Sequence, residues 1–146
     1  MSWKILEEQR PALAAFGAER LNGKVAYLAT IRADGSPRVH PMTPIIGQGH
    51  FFVFMEPTSP KGHDLQRDGR YAIHCAMNDT SGAGGEFSMA GHAHLVPDAD
   101  LRTLAVRLAS YAPADRYILF EFDVDRAAST IYGEDRPIRQ SWKLQA

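Results

Sequence analysis

The stretch KVAYLATIRADGSPRVHPM constrains this chain more than any other. Two strand-like runs flank Asp34-Gly35, and Asp-Gly tolerates the positive φ that a tight hairpin needs. The runs are therefore expected to be adjacent antiparallel strands. Pro41 and Pro44 follow in PRVHPMTPII and carry no backbone donor. That second strand should be irregular or at an edge, with its backbone free to face a ligand rather than a neighbour. The same grammar repeats downstream. A GQGH turn leads into HFFVFM, GRYAIHCAM reads as a strand, and the loop NDTSGAGG separates it from EFSMAGHAHLV. RYILFEFDV alternates, with Ile118, Phe120, Phe122 and Val124 on one face and Tyr117, Leu119, Glu121 and Asp123 on the other. STIYGEDRPIRQSWKL predicts two short strands around Gly133-Glu134-Asp135.

Helical spacing flanks this pattern. Ile5, Leu6, Leu13, Phe16 and Leu21 fall roughly on one face, and Pro11 either kinks that helix or starts a second. Late in the chain Asp98 caps a helix carrying Leu101, Leu104, Ala105 and Leu108. KGHDLQRD makes a short helix or turn. Six or seven hairpin-linked strands with an early and a late helix predict a mainly β antiparallel barrel with appended helices, one domain over residues 1–146. No βαβ alternation exists, and SGAGGEF lacks the spacing and context of a dinucleotide loop.

A formal net charge of -1 gives no footprint for duplex nucleic acid or an anionic membrane surface. The N-terminal MSWKILEEQRPALAAFGAERL carries charge throughout and has no signal core, so a cytoplasmic protein is expected. The single Cys75 forms no intrachain disulfide and sits in an apolar run, as core rather than nucleophile.

EPTSPKG is the chemically richest segment. Thr58, Ser59 and Lys61 stand where a strand gives way to a helix, and Arg38 lies on a segment that a strand connection could bring alongside. Together they could give a phosphate an arginine fork, an ammonium, hydroxyls and helix amides. A capped helix with two solvated cations explains the same residues. Of five histidines weighed as metal ligands (His40, His63, His74, His92, His94), His92 and His94 share a strand face, and spacing suggests no third ligand. Ser59 and Ser88 have no nucleophile-elbow context. Trp142 with Arg136 and Arg139 forms an aromatic and cationic group near the C-terminus, beside which a flat aromatic ligand could stack.

Taken in order, KVAYLATIRADGSPRVHPM, HFFVFMEPTSPKGHDLQRDGR and EFSMAGHAHLV before a helix resemble the pyridoxamine phosphate oxidase-like family of flavin-binding split β-barrels. The likeness runs from about Leu21 to Trp142. It implies a split antiparallel, Greek-key barrel and a homodimer with FMN held between subunits. It places Ser59 and Lys61 on the flavin phosphate, with Pro60 where an Arg is common, and lays Arg38, Val39 and His40 along the flavin. Glu86 stands about where a flavin-contacting Gln of the partner subunit occurs.

Departures from the pattern matter. Thr43 takes roughly the place of a Lys near the flavin ring, and RQSWKL does not reproduce the C-terminal pattern that holds pyridoxal phosphate. These point away from pyridoxamine phosphate oxidation and toward the short, stress-related or deazaflavin (F-420) branches. The resemblance thus implies a flavin-dependent oxidoreductase acting on a small molecule, with His40 as the candidate acid. A non-catalytic flavin sensor and a haem or tetrapyrrole binder ligated by His40 or His74 are the alternatives. Half-sites need a partner, so the apolar faces of HFFVFM and YAIHCAM are expected to line part of a dimer interface.

Overall fold

The computed structural model describes residues 2–145. The expected first hairpin forms: Gly35 adopts a φ of 86° and its N–H donates to Arg32 O at 2.9 Å. It joins β1 (Ala26–Ile31) to β2 (Pro37–Met42) in antiparallel register. The remaining strands are β3 (Ile45–Gly47), β4 (His50–Met55), β5 (Arg70–Cys75), β6 (Glu86–Leu95), β7 (Ile118–Tyr132) and β8 (Pro137–Lys143). They form one antiparallel sheet in the order β2-β1-β5-β6-β7-β4-β3, with β8 added on β7. The ends of that order, β2 and β3, do not pair, so the barrel is split as expected. β2 is an edge strand, as its prolines require.

Pro11 starts a second helix, separating α1 (Ser2–Gln9) from α2 (Pro11–Leu21). Both pack Trp3, Leu6, Leu13 and Leu21 into the main core with Phe51, Phe87, Phe120 and Phe122. The short helix α3 (Pro60–Arg67) and the late helix α4 (Ala99–Leu108) also form, capped by Ser59 and Asp98. Among the described residues, no helix is long and apolar enough to cross a membrane.

Two sequence expectations change and one gains detail. The alternation in RYILFEFDV is real, and its second face is buried too at first. Leu119 packs with Ile45, Phe52, Phe54 and Ala105 of α4 in a second core. Glu121, also buried, meets His50. The strand then continues without a break to Tyr132, absorbing the first of the two short C-terminal strands. Asp125 is the extra residue of a bulge opposite Ala90 and Gly91, which lets one long strand serve β4 and then β8. Gly91 makes that bend fit, since a Cβ there would lie 2.0 Å from Asp123 O. Finally, all six residues of β4 are buried within this chain, so HFFVFM has no apolar face left for a partner. Exposed apolar side chains occur instead at Tyr27, Val39, Ile131, Tyr132 and Ile138.

Candidate functional site

β2 and α3 define the polar half of the site. Along β2 the even positions Arg38, His40 and Met42 are the more buried, while Pro37, Val39 and Pro41 face outward. Arg32 N–H donates to Ser36 O across the turn at 2.8 Å, marking that pair as hydrogen-bonded. Alternation along an antiparallel ladder then directs the backbone groups of Pro37, Val39 and Pro41 away from β1. Two of these three residues have no N–H. The free edge therefore offers one backbone donor, the Val39 N–H.

Ser59 caps α3, its Oγ accepting from Gly62 N–H at 3.2 Å. Thr58 is exposed in the preceding turn. Pro60 occupies the first helical turn, where its missing N–H costs nothing. Lys61 follows, half-buried and without an ion-pair partner among the described residues. Burial holds its ammonium below the ordinary lysine range. Arg38 reaches α3 through Asp64, its Nε donating to Oδ2 at 2.7 Å, and its Nη groups make no hydrogen bond among the described residues. His40 is near enough to both cations to feel their charge. Its pKa is lowered by burial first, then by Lys61 and Arg38. Its Nε2 is buried without a hydrogen-bond partner.

Two concavities flank this group. A cleft of about 300 Å³ is lined by Thr43 and Lys61 with Met42, Met55, Tyr111 and Tyr117. On the opposite face of β2 lies an apolar basin of about 610 Å³, with Val39, Tyr27, Ala72, His74 and Trp142 among its walls. Trp142 is buried and donates from Nε1 to Gln9 Oε1 at 2.8 Å. Strand alternation puts Arg139 on the face away from Trp142, so the expected cation–aromatic grouping does not form there. Glu86 opens β6, accepts from Tyr132 Oη at 3.1 Å and lies 3.9 Å from His74 Nε2.

The structure thus gathers Arg38, His40, Ser59 and Lys61 around α3 and brings Thr43 to the cleft beside Lys61. Val39 and Trp142 share the basin, and Glu86 stands near His74 on its wall. His92 and His94 each face an aspartate of β7, Asp125 at 3.1 Å and Asp123 at 3.5 Å. Cys75 is core, its Sγ accepting from Phe87 N–H at 3.2 Å. Sequence reasoning missed Asp64, since an acid on a short polar helix reads as solvated. Here it is buried, and the only advance signal was its spacing of one helical turn from Lys61.

A search of curated proteins returns no match. Solved structures share the fold. A conserved hypothetical protein, Rv2991, from Mycobacterium tuberculosis is 19% identical over 83% of each chain, with a TM-score of 0.67. A heme binding protein from Mycobacterium smegmatis is also 19% identical at a TM-score of 0.67, covering 90% of this chain and 58% of that one. PhzG from Burkholderia lata 383, solved with tetrahydrophenazine-1-carboxylic acid, is 16% identical over 99% of this chain and 88% of that one, at a TM-score of 0.67. The family model described as pyridoxamine 5'-phosphate oxidase matches residues 12–130. With most of its length matched and a split antiparallel barrel as its fold, this chain belongs to the pyridoxamine 5'-phosphate oxidase family.

Proposed function

We propose that the protein is a cytoplasmic, homodimeric flavoprotein that binds FMN and transfers hydride to or from a small molecule. The observation that carries this reading is the buried, unpartnered His40 Nε2 near Lys61, a half-buried cation with no ion-pair partner among the described residues. Unsatisfied buried polar atoms are costly, and an anionic ligand that answers them offsets that cost. The phosphate would meet Lys61, the Arg38 Nη groups and Ser59 at the start of α3, while Val39 N–H on the bare edge would donate to the ring. Thr43 would lie on the ring side of Lys61. A bound flavin supplies the hydride chemistry itself. Proteins of this family bind flavins or haem and some are enzymes, which supports the class without naming a substrate.

Within one chain Trp142 and Glu86 stand apart from the Lys61 group. The homodimer reading follows: a partner's basin wall would close over the flavin held by β2 and α3. Deazaflavin F-420 shares the ribityl phosphate and would use the same anchor. The test is a visible spectrum of the purified protein with mass spectrometry of what heat releases. Released FMN or deazaflavin identifies the cofactor. A colourless protein that takes up neither on titration overturns the reading, and a monomer by light scattering that still binds FMN overturns the shared site.

A tetrapyrrole is the second reading, and His74 favours it. Its Nδ1 lies 2.6 Å from Cys75 O, and a carbonyl only accepts, so the ring proton sits on Nδ1. In a neutral ring Nε2 would hold the lone pair, on a residue of the basin wall with Glu86 3.9 Å away. A Soret band after reconstitution, lost in His74→Ala, would favour this reading over the flavin one.

A further inference from the structure

We propose that Asp64 is the positioning residue of the anion site, holding Arg38 of β2 and the Lys61 turn of α3 in the one arrangement that lets both address a single phosphate. This rests on the phosphate-anchor reading above. Asp64 is 3% exposed, yet both oxygens of its carboxylate are engaged. Its Oδ2 accepts from Thr30 Oγ1 at 2.7 Å and from Arg38 Nε at 2.7 Å, and its Oδ1 accepts from Arg67 Nη2 at 3.0 Å. Burial pushes the carboxyl up, but those hydrogen bonds outweigh it and hold the pKa below the usual 3.8. Arg67 also donates to Ile31 O at 2.5 Å. One carboxylate therefore joins β1, β2 and α3.

The geometry of the Arg38 contact is specific. Asp64 takes Nε alone, which orients the guanidinium plane and leaves both Nη groups for a ligand. Asp64 stands three positions after Lys61 on the same helix, so fixing one fixes the height of the other. A free arginine would hold many rotamers, and ordering them on binding would weaken a phosphate complex. Asp64 has already restricted them.

Two effects of Asp64 oppose each other, which makes the proposal decidable. As a negative charge beside the site it weakens any anion, so removing it should tighten FMN. As an orienting group it strengthens phosphate binding, so removing it should loosen FMN. The sign of the change separates the two.

The experiment measures flavin affinity by fluorescence quenching on the full chain, with FMN and riboflavin side by side. Wild type is expected to prefer FMN. Asp64→Asn, which keeps the shape, is expected to weaken FMN about tenfold, the scale of one charge-assisted contact, and to leave riboflavin unchanged. In an Arg38→Ala background the same substitution is expected to change nothing further. If Asp64→Asn does not fold, Thr30→Val removes one of the carboxylate's partners without altering charge and is expected to shift FMN affinity in the same direction. Unchanged or tighter FMN binding in the folded variant, or an effect that persists without Arg38, overturns the proposal while the flavin reading stands. A wild type that does not discriminate FMN from riboflavin overturns the phosphate reading, and the Asp64 role falls with it.

Discussion

Trp142 donates its indole N–H to Gln9 Oε1 at 2.8 Å, tying β8 to α1 across the edge of the main core. The contact fixes the ring against the basin floor formed by β5, β6 and β7. An apolar face set rigidly beside Ala72, Met89 and Ala127 suits a planar ligand, because little conformational entropy is lost when one stacks there.

Trp142→Ala is accordingly expected to weaken FMN binding by about 1 kcal/mol, while Trp142→Phe keeps most of the affinity. Fluorescence titration of the purified variants checks this. Equal affinity in wild type and Trp142→Ala would remove the basin from the cofactor site.

Lys61→Ala is expected to weaken FMN by about 1.5–3 kcal/mol through loss of a charge-assisted contact, with riboflavin unaffected. Isothermal titration of both ligands is the measurement. A parallel loss for riboflavin would show that Lys61 acts on something other than the phosphate.

His40 should titrate below its usual 6.5, because burial, Lys61 and Arg38 all oppose its charge. The unfolded chain binds this proton more readily than the folded one. Its contribution to stability is therefore complete above pH 6.5 and declines as pH falls through that value toward the lower folded pKa. FMN phosphate would favour the protonated ring. The His40 midpoint, followed by NMR of the imidazole, is expected below 6.5 in the free protein and higher with FMN bound. A midpoint that FMN does not move would place the phosphate elsewhere.

His50 and Glu121 meet at 2.6 Å between β4 and β7, both buried. Glu121→Ala strands a buried imidazole and is expected to cost about 2–3 kcal/mol in urea unfolding. His50→Phe with Glu121→Leu, which removes both polar groups, is expected to recover most of that loss. A double variant as unstable as the single one would mean that the pair itself supplies the stability.

Local chemistry made much of this protein legible before folding. Asp34-Gly35 permits the positive φ of a hairpin, Pro11 lacks the N–H of an unbroken helix and leaves a kink or a second helix, and Ser59 and Asp98 satisfy the first amides of α3 and α4. Each depends on residues close in the chain, so the sequence alone shows it to that extent. Pro41 likewise announced an irregular strand or an edge, since a missing N–H is poorly tolerated in a central strand, and the structure shows the edge.

Long-range partners decided the rest. Nothing in RYILFEFDV says that α4 will cover Leu119 or that His50 will meet Glu121, and nothing in KGHDLQRD says that Asp64 will be buried. An isolated acid reads as solvated because ionised carboxylates are costly to bury unpaired. Only when β1 and β2 deliver Thr30 and Arg38 to α3 does burying Asp64 become favourable. The same packing places Trp142 and Val39 across the sheet from Lys61. The sequence thus determined which cations, hydroxyls and aromatic rings the chain carries, and the tertiary structure decided that Lys61 and Trp142 line separate concavities, because long-range packing and not local chemistry sets which surfaces meet.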